Sequence, residues 1–385
     1  MSLSAIANGS RYCYSGSMSS RGSAAPLKLI DVFCGCGGFS LGAHQAGFDV
    51  AAAYDMDPNL THSYRHNFPS TRLHLLDVAD LDGEALVASA GGHIDGIFGG
   101  PPCQGFSDIG HREPDDPRRQ LLGHFFRLVR QVEPSFFIME NVRGLAYSDA
   151  RGVLDEALGL VSDRYAVLGP HIWEASQFGA ATRRRRLFVI GVHKDRADAL
   201  TMEEVAVRKA APTTVRAAIA DLDDAVRLDD ENGYDIWRLG RPGRPSDYSR
   251  SLRAADGRFT GHRLTIHRPD VVARFASLAP GQIDPIGRHP KLSWFGQCPT
   301  LRAGTGVERG SYQSVRPIHP SEPRVITVRE AARLQGFPDA HRFHPAIWHS
   351  FRMIGNSVSP VIAREIFTAV AAKFGSPTPL ALAAE

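Results

Sequence analysis

An α/β fold with a mostly parallel sheet, joined to a smaller irregular domain, is what this sequence predicts. Three observations carry the prediction. Apolar runs of strand length alternate with stretches of helix length through the first half of the chain. A glycine turn, Cys34-Gly35-Cys36-Gly37-Gly38, separates the first strand from the first helix. Several strands also end in a chemically capable residue, and open α/β sheets gather their ligands outside the carboxyl ends of their strands.

The elements follow in order. Lys28–Phe33 reads as a strand, the glycine turn as a loop, and Phe39–Ala46 as a helix. Glycines at that junction let the backbone approach a ligand at the positive end of the helix. A second strand, Val50–Tyr54, runs into Asp55-Met56-Asp57. A carboxylate there, roughly twenty residues past the glycine turn, is placed to accept from ribose hydroxyls. A plain turn carboxylate is the other reading of Asp55, and the glycine loop alone serves many cofactors. A helix over Pro58–Asn67 and a strand over Leu73–Leu76 ending at Asp77 continue the alternation.

The strand Ile94–Phe98 leads into Gly99-Gly100-Pro101-Pro102-Cys103-Gln104-Gly105-Phe106-Ser107. Consecutive prolines fix φ and restrict the residue before them, so the turn is rigid and non-helical. It presents the Cys103 thiol at the carboxyl end of a strand, as a nucleophile is held. A lone cysteine is otherwise more often structural. A helix from about Arg119 to Val132 and a strand over Ser135–Met139 then deliver Glu140-Asn141-Val142 at a neighbouring strand end. After another helix, Tyr165–Trp173 and Leu187–Val192 read as a terminal pair of strands. Their connection carries Gln177-Phe178-Gly179 and four consecutive arginines, Arg183 to Arg186, of which Arg186 abuts the apolar strand and is expected to point inward.

Bulk properties suit an enzyme. At 385 residues the chain has room for two domains, and 43% hydrophobic with 22% charged residues is ordinary for a globular protein. No apolar run approaches the ~20 residues of a membrane helix. Residues 1–25, rich in Ser, Gly and Ala, read as a disordered tail and not a signal peptide. Five scattered cysteines (13, 34, 36, 103 and 298) suit reduced thiols in a cytoplasm, and Cys34 and Cys36 are too closely spaced for a metal site.

From about Asp195 to Ile326 the alternation is lost and Gly, Pro and Arg become frequent, as in Leu239–Pro245, which also fits a linker. The net charge is only +3, yet twelve Lys/Arg face six Asp/Glu between Ser251 and Glu330. That local excess suggests phosphate contact on one side of the molecule, although a solvated surface would read alike on charge alone. Arg329–Pro338 reads as a short helix stopped by Gly336 and Pro338, and Gly355–Pro360 leads into a final amphipathic helix, Val361–Phe374.

Taken together these segments resemble the DNA (cytosine-5) methyltransferase family, in order, from Leu29 to Phe374. Residues 31–40 look like its cofactor loop, Pro101–Gln104 its nucleophile turn and Glu140–Val142 its acid motif. Gln177–Gly179 with Arg184 and Arg186 is similar to its arginine motif, and Arg329–Pro338 and Gly355–Pro360 to its last two. Two departures stand out. Ala180-Ala181-Thr182 replaces the usual hydrophobe-Pro-Gln, and Asp55 stands where the family commonly has Glu.

The resemblance implies a Rossmann-like, S-adenosyl-L-methionine-dependent methyltransferase domain over 26–194, a target-recognition domain over 195–340 and a C-terminal segment, 341–385, returning to the first domain. It implies catalytic roles for Cys103, Glu140, Arg184 and Arg186. For the cofactor it implies Phe33 and Met56 against the adenine with Val78, and Gly35, Gly37 and Gly38 near the methionine end. Asp55 would take the ribose, Asp77 the adenine amine, and Leu121 with the Asn356-Ser357-Val358 backbone would close the pocket.

Carbon 5 of cytosine is a poor nucleophile until a thiolate adds to carbon 6, which explains the Cys103, acid and arginine set. The expected substrate is double-stranded DNA, with the target base rotated out of the helix and the Gln104–Gln120 stretch closing over it. A monomer without membrane attachment, working in the cytoplasm at the nucleoid and paired with a cognate restriction endonuclease, completes the expectation. A tRNA cytosine-5 methyltransferase and a catalytically silent DNA-binding homologue are the alternatives.

Overall fold

The computed structural model describes residues 25–102, 120–196, 200–240, 245–304 and 315–374. Residues 1–24 of the expected tail, Cys103 and most of the loop after it lie outside these residues. The first half supplies β1 (Lys28–Val32), α1 (Gly38–Gln45), β2 (Asp49–Asp55), α2 (Tyr64–Asn67), β3 (Arg72–Leu75), α3 (Gly83–Ser89), β4 (Gly96–Gly99) and α4 (Gln120–Val132). It continues with β5 (Phe136–Asn141), α5 (Ser148–Gly159), β6 (Tyr165–Glu174) and β7 (Arg185–His193).

These strands form one seven-stranded sheet in the order β3-β2-β1-β4-β5-β7-β6. β1 to β5 pair in parallel, whereas β7 is antiparallel to both β5 and β6. The reversal follows from chain length. Only the residues between Glu174 and Arg185 join β6 to β7, too few for the dozen or so a parallel crossover needs. β5 reaches β6 through α5, leaving a gap that β7 fills from the opposite direction.

Every residue of β5 is buried, so both faces of the sheet are covered. Phe136 and Ile138 join Phe39, Ala43, Ile362, Ile366 and Phe367 on one face. Phe137 and Met139 join Leu86, Phe125, Phe126, Val129 and Leu154 on the other. The last helix, α12 below, lies close on α1 because of Gly42, where an added Cβ would come 2.4 Å from the Ala363 Cβ.

The remaining elements are α6 (Met202–Ala206), α7 (Val215–Ile219), β8 (Val226–Glu231), β9 (Tyr234–Arg238), α8 (Asp247–Leu252), β10 (Arg258–Thr260) and α9 (Pro269–Ser277). Then come α10 (Val328–Gln335), α11 (Ile347–Asn356) and α12 (Pro360–Phe374). β8 to β10 make a small antiparallel sheet in the order β10-β9-β8. A third core cluster joins this part to the first: Leu41, Tyr64 and Phe68 pack with Ile219, Phe259, Leu292, Leu301, Leu334 and Met353. Among the described residues no helix is long and apolar enough to cross a membrane.

Three sequence expectations change. The helix expected over Pro58–Asn67 is only Tyr64–Asn67. Asp57 Oδ1 accepts from the Asn59 and Leu60 amides at 2.8 and 3.2 Å, holding the first half as a turn. Strand β5 runs on through Glu140 and Asn141, two residues past its expected end at Met139. Helix α11, with Gly355 and Asn356 at its end, was not anticipated.

Two of the arginines counted between Ser251 and Glu330, Arg324 and Arg329, are turned inward, as is Arg333 just beyond that window. Thr327 and Glu330 form a capping box at its start. Arg324 reaches both Glu330 and Glu322, Arg333 forks onto Asp339 at 2.8 and 2.6 Å, and Arg329 donates to the Thr260, Pro338 and His341 carbonyls. These buried arginines fasten the second part of the chain and are not available to phosphates. Arg258, Arg263, Arg268, Arg288 and Arg302 remain exposed.

Candidate active site

The carboxyl ends of β1 to β5 and the start of β7 share one edge of the sheet, and every described candidate from the strand-end motifs lies along it. At the centre, β4 and β5 end side by side. Gly99 has no room for a side chain, since a Cβ would fall 1.9 Å from the Val32 carbonyl oxygen. Gly100 passes against the acid, its absent Cβ only 2.9 Å from Glu140 Oε2. Asn141 Nδ2 donates to the Pro101 carbonyl at 3.1 Å, while its Oδ1 accepts from the Val142 amide at 2.8 Å. The last residues before Cys103 are thus tied to the strand that carries Glu140. Composition and spacing gave no sign of this role for Asn141, because it depends on strand pairing.

Glu140 is buried, and Arg186 Nε lies 2.8 Å from its Oε1. The antiparallel pairing explains the meeting. Glu140 stands opposite Phe188, so Arg186, two residues earlier in β7, is the diagonal neighbour on the same face. Burial pushes the Glu140 carboxyl up, against the opposing pull of Arg186 and then Arg184. A desolvated acid beside a fixed cation can hold a proton at one atom of a ligand and stabilise negative charge at another.

Arg184 takes a different position from Arg186. It is fully buried and donates to the Leu301 carbonyl at 3.1 Å and the Gly355 carbonyl at 2.7 Å. A Cβ at Gly355 would lie 2.5 Å from the Ala303 amide nitrogen. Arg184 therefore fastens the 301–303 segment to the end of α11 beside the site. The unusual Ala180-Ala181-Thr182 is accommodated by Cys298: its amide donates to the Ala181 carbonyl at 2.8 Å, and its carbonyl accepts from Arg183 N and Thr182 Oγ1.

The cofactor candidates converge on the neighbouring half of the edge. Phe33 adopts φ 72°, and Gly35 and Gly37 also have positive φ, a backbone that folds the turn back over the sheet. The Phe33 and Cys34 amides both donate to the Tyr54 carbonyl at 2.9 Å. Asp55 binds the turn directly, Oδ2 accepting from the Gly35 amide and Oδ1 from the Asp57 amide, each at 2.9 Å. Burial raises its pKa while these two amides lower it. The short Asp side chain thus rests on the turn itself.

Met56 is 64% exposed beside Asp55, a large apolar surface with no core to fill. Asp77 Oδ1 caps the turn after β3 by accepting from the Ala79 amide at 2.9 Å, and Val78 is buried behind it. Leu121 lies half-buried on α4. A Cβ on Gly38 would meet Ser357 Oγ at 2.0 Å and the Val358 carbonyl at 2.3 Å, so Ser357 and Val358 pack against the glycine turn. Asn356 is exposed and Val358 buried.

Below the turn lies a group that periodicity did not reveal. Ser40 Oγ donates to Asp31 Oδ2 and lies 2.8 Å from the Tyr64 hydroxyl. Burial, with Asp55 adding to it, pushes the Asp31 carboxyl up to about 8. Among the described residues one trio, Asp223, His319 and Glu322, has metal-like spacing. Arg324 already engages both Glu322 oxygens, and His319 Nδ1 accepts the Glu322 amide at 3.1 Å. This set suits an ion-pair network better than a cation.

The profile of C-5 cytosine-specific DNA methylases matches residues 27–372. The Type II methyltransferase M.XorII of Xanthomonas oryzae pv. oryzae is 41% identical over 356 residues, spanning 88% of this chain and 82% of the relative. M.DdeI of Desulfomicrobium norvegicum, also a Type II methyltransferase, is 29% identical over 380 residues, spanning 88% and 87%. Among solved structures, an E. coli prophage-encoded protein described as a DNA modification methyltransferase superposes with a TM-score of 0.79 at 38% identity, covering 91% of this chain and 99% of that one. The S. pombe Dnmt2 methyltransferase shares the fold, with a TM-score of 0.61 at 16% identity over 91% and 99% of the two chains. The chain belongs to the C-5 cytosine-specific DNA methylase family and is a DNA cytosine-5 methyltransferase.

Proposed function

We propose that this enzyme methylates carbon 5 of a cytosine rotated out of a specific double-stranded DNA sequence, through a covalent bond from Cys103. The observation that carries the reading is the buried Glu140–Arg186 pair set against the turn that leads into Cys103. S-adenosyl-L-methionine is the proposed methyl donor, supplying when bound an electrophilic methyl group. The residues fit it: an open face above Gly35, where an added Cβ meets nothing within 4 Å, a carboxylate at the end of β2 and an exposed apolar side chain at Met56.

In this scheme the Cys103 thiolate adds to carbon 6, which leaves carbon 5 enamine-like and able to take the methyl group, with S-adenosyl-L-homocysteine as the thioether that would depart. Glu140 holds a proton at ring nitrogen 3 and Arg186 faces the ring carbonyl oxygen, so charge that builds on that edge is met without reorganisation. A base then removes the carbon 5 proton, the double bond re-forms, and the thiolate leaves. Arg184 acts by holding the segments around the site. Phe33, Gly35, Gly37, Gly38, Asp55, Met56, Asp77, Val78, Leu121, Asn356 and Val358 are the proposed cofactor residues. Residues 26–194 and 341–385 form the catalytic part, and 195–340 reads the DNA, with exposed arginines such as Arg263 and Arg302 as candidates for phosphate contact. The proposed setting is a cytoplasmic monomer protecting DNA from a cognate endonuclease.

Sequencing of plasmid DNA for methylcytosine after expression tests this. The wild-type enzyme should mark one cytosine in one short sequence, and Cys103→Ser should mark none while retaining cofactor binding, because the thiolate and not a hydroxyl is accessible near neutral pH. A fully active serine variant would overturn the covalent scheme.

A further inference from the structure

We infer that Arg127 is a positioning residue for cofactor recognition, holding the Asp77–Val78 turn so that the Asp77 carboxylate meets the exocyclic amine of adenine. The inference rests on the cofactor reading above and adds to it a residue outside every motif. Leu121, His124, Arg127 and Gln131 recur at helical spacing along one face of α4. That face lies along the turn from Asp77 to Gly83.

Arg127 Nη1 donates to the Leu81 carbonyl at 2.7 Å, and Nη2 to the Val78 and Ala79 carbonyls at 3.2 and 3.5 Å. Nη1 also reaches Gln131 Oε1 at 3.2 Å, and Nε approaches His124 Nδ1 at 3.4 Å. Gln131 Oε1 in turn accepts from the Gly83 amide at 2.9 Å, and a Cβ on Gly83 would come 2.7 Å from the Gln131 Cβ. The short turn Val78–Asp80 is therefore held at both ends, by the Asp77 cap at its start and by the Arg127 fork on its carbonyls. Asp77 spends Oδ1 on that cap, and among the described residues no hydrogen bond engages Oδ2. A planar guanidinium can hold several carbonyls at once, which a lysine ammonium on a flexible stem does poorly.

The test uses the full-length enzyme, its Arg127→Met and Arg127→Lys variants, S-adenosylmethionine, and the analogue with hypoxanthine in place of adenine, which presents a carbonyl where the amine stood. The wild type should prefer the adenine form. Arg127→Met should weaken the adenine form about ten-fold or more, the scale of a lost charge-assisted hydrogen bond, and leave the hypoxanthine form nearly unchanged. Its kcat at saturation should stay within about two-fold, the mark of lost binding and not of lost chemistry. Arg127→Lys should fall between, and carries the same comparison if the methionine variant does not fold. A variant that weakens both forms equally, or that keeps the full preference for adenine, overturns the role of Arg127. A wild type without preference overturns the Asp77 assignment itself, and this inference with it.

Discussion

Replacing Glu140 with glutamine keeps the shape of the side chain and removes its ability to hold or release a proton. The carboxylate oxygen that meets Arg186 Nε at 2.8 Å becomes an amide oxygen, so the arginine keeps an acceptor, though a weaker one. Breaking a buried pair outright costs ~3–5 kcal/mol; with an isosteric acceptor left in place and Arg186 15% exposed, a loss nearer 1 kcal/mol is expected. The catalytic loss should be larger. A positioned acid contributes about 10²–10⁴ in rate, or ~3–5.5 kcal/mol of barrier.

The pH dependence has a definite sign. Burial raises the Glu140 pKa, so the protonated acid persists to higher pH than in an exposed glutamate, and activity that needs it falls as pH rises through that value. Glutamine should remove that limb together with the rate. The assay is single-turnover transfer of a radiolabelled methyl group to a duplex carrying the target, with calorimetry of cofactor binding alongside. A slow variant with normal cofactor affinity supports the assignment. Unchanged turnover with a large loss of cofactor affinity would refute it.

Two further outcomes are expected. Gly38→Ala forces a Cβ to within 2.0 Å of Ser357 Oγ and 2.3 Å of the Val358 carbonyl, so the C-terminal segment must lift; thermal melts should show ~1–3 kcal/mol lost, with weaker cofactor binding by calorimetry. Asp31, whose pKa is pushed up to about 8 in the folded chain, favours the fold as a neutral acid; that stability is full below the ordinary aspartate range and is lost as pH climbs to about 8, ideally at ~1.4 kcal/mol per unit. Asp31→Asn should flatten this slope in denaturant titrations between those limits, and an unchanged slope would place the titration elsewhere.

The alternation of strands and helices was legible because it follows from the period of apolar residues, and the strand-end chemistry was legible because it follows from the alternation. What escaped depends on side chains that reach across the chain. Asp57 captures two amides and turns an expected helix into a short one. The direction of β7 is set by a short connection, and only that direction places Arg186 beside Glu140. Arg186 could be singled out from the run of four arginines because it abuts the apolar strand, but nothing in the run showed that Arg184 fastens backbone carbonyls while Arg186 faces the acid. Counting charges misled in the same way, since Arg324 and Arg329 are consumed by partners inside the protein. Arg127 and Asn141 bind carbonyls presented by distant segments, which leaves no periodic trace in the sequence.

The covalent bond proposed between Cys103 and the target base can be trapped with 5-fluorocytosine. Fluorine cannot leave carbon 5 as a cation, so the proton-removal step is blocked and the thiol stays attached. A duplex carrying this base at a sequence the enzyme is shown to methylate should, with S-adenosylmethionine present, give a complex that survives denaturing electrophoresis. Peptide mapping should place the attachment at Cys103. A proven target that yields no adduct, or an adduct on another residue, would rule out the Cys103 bond.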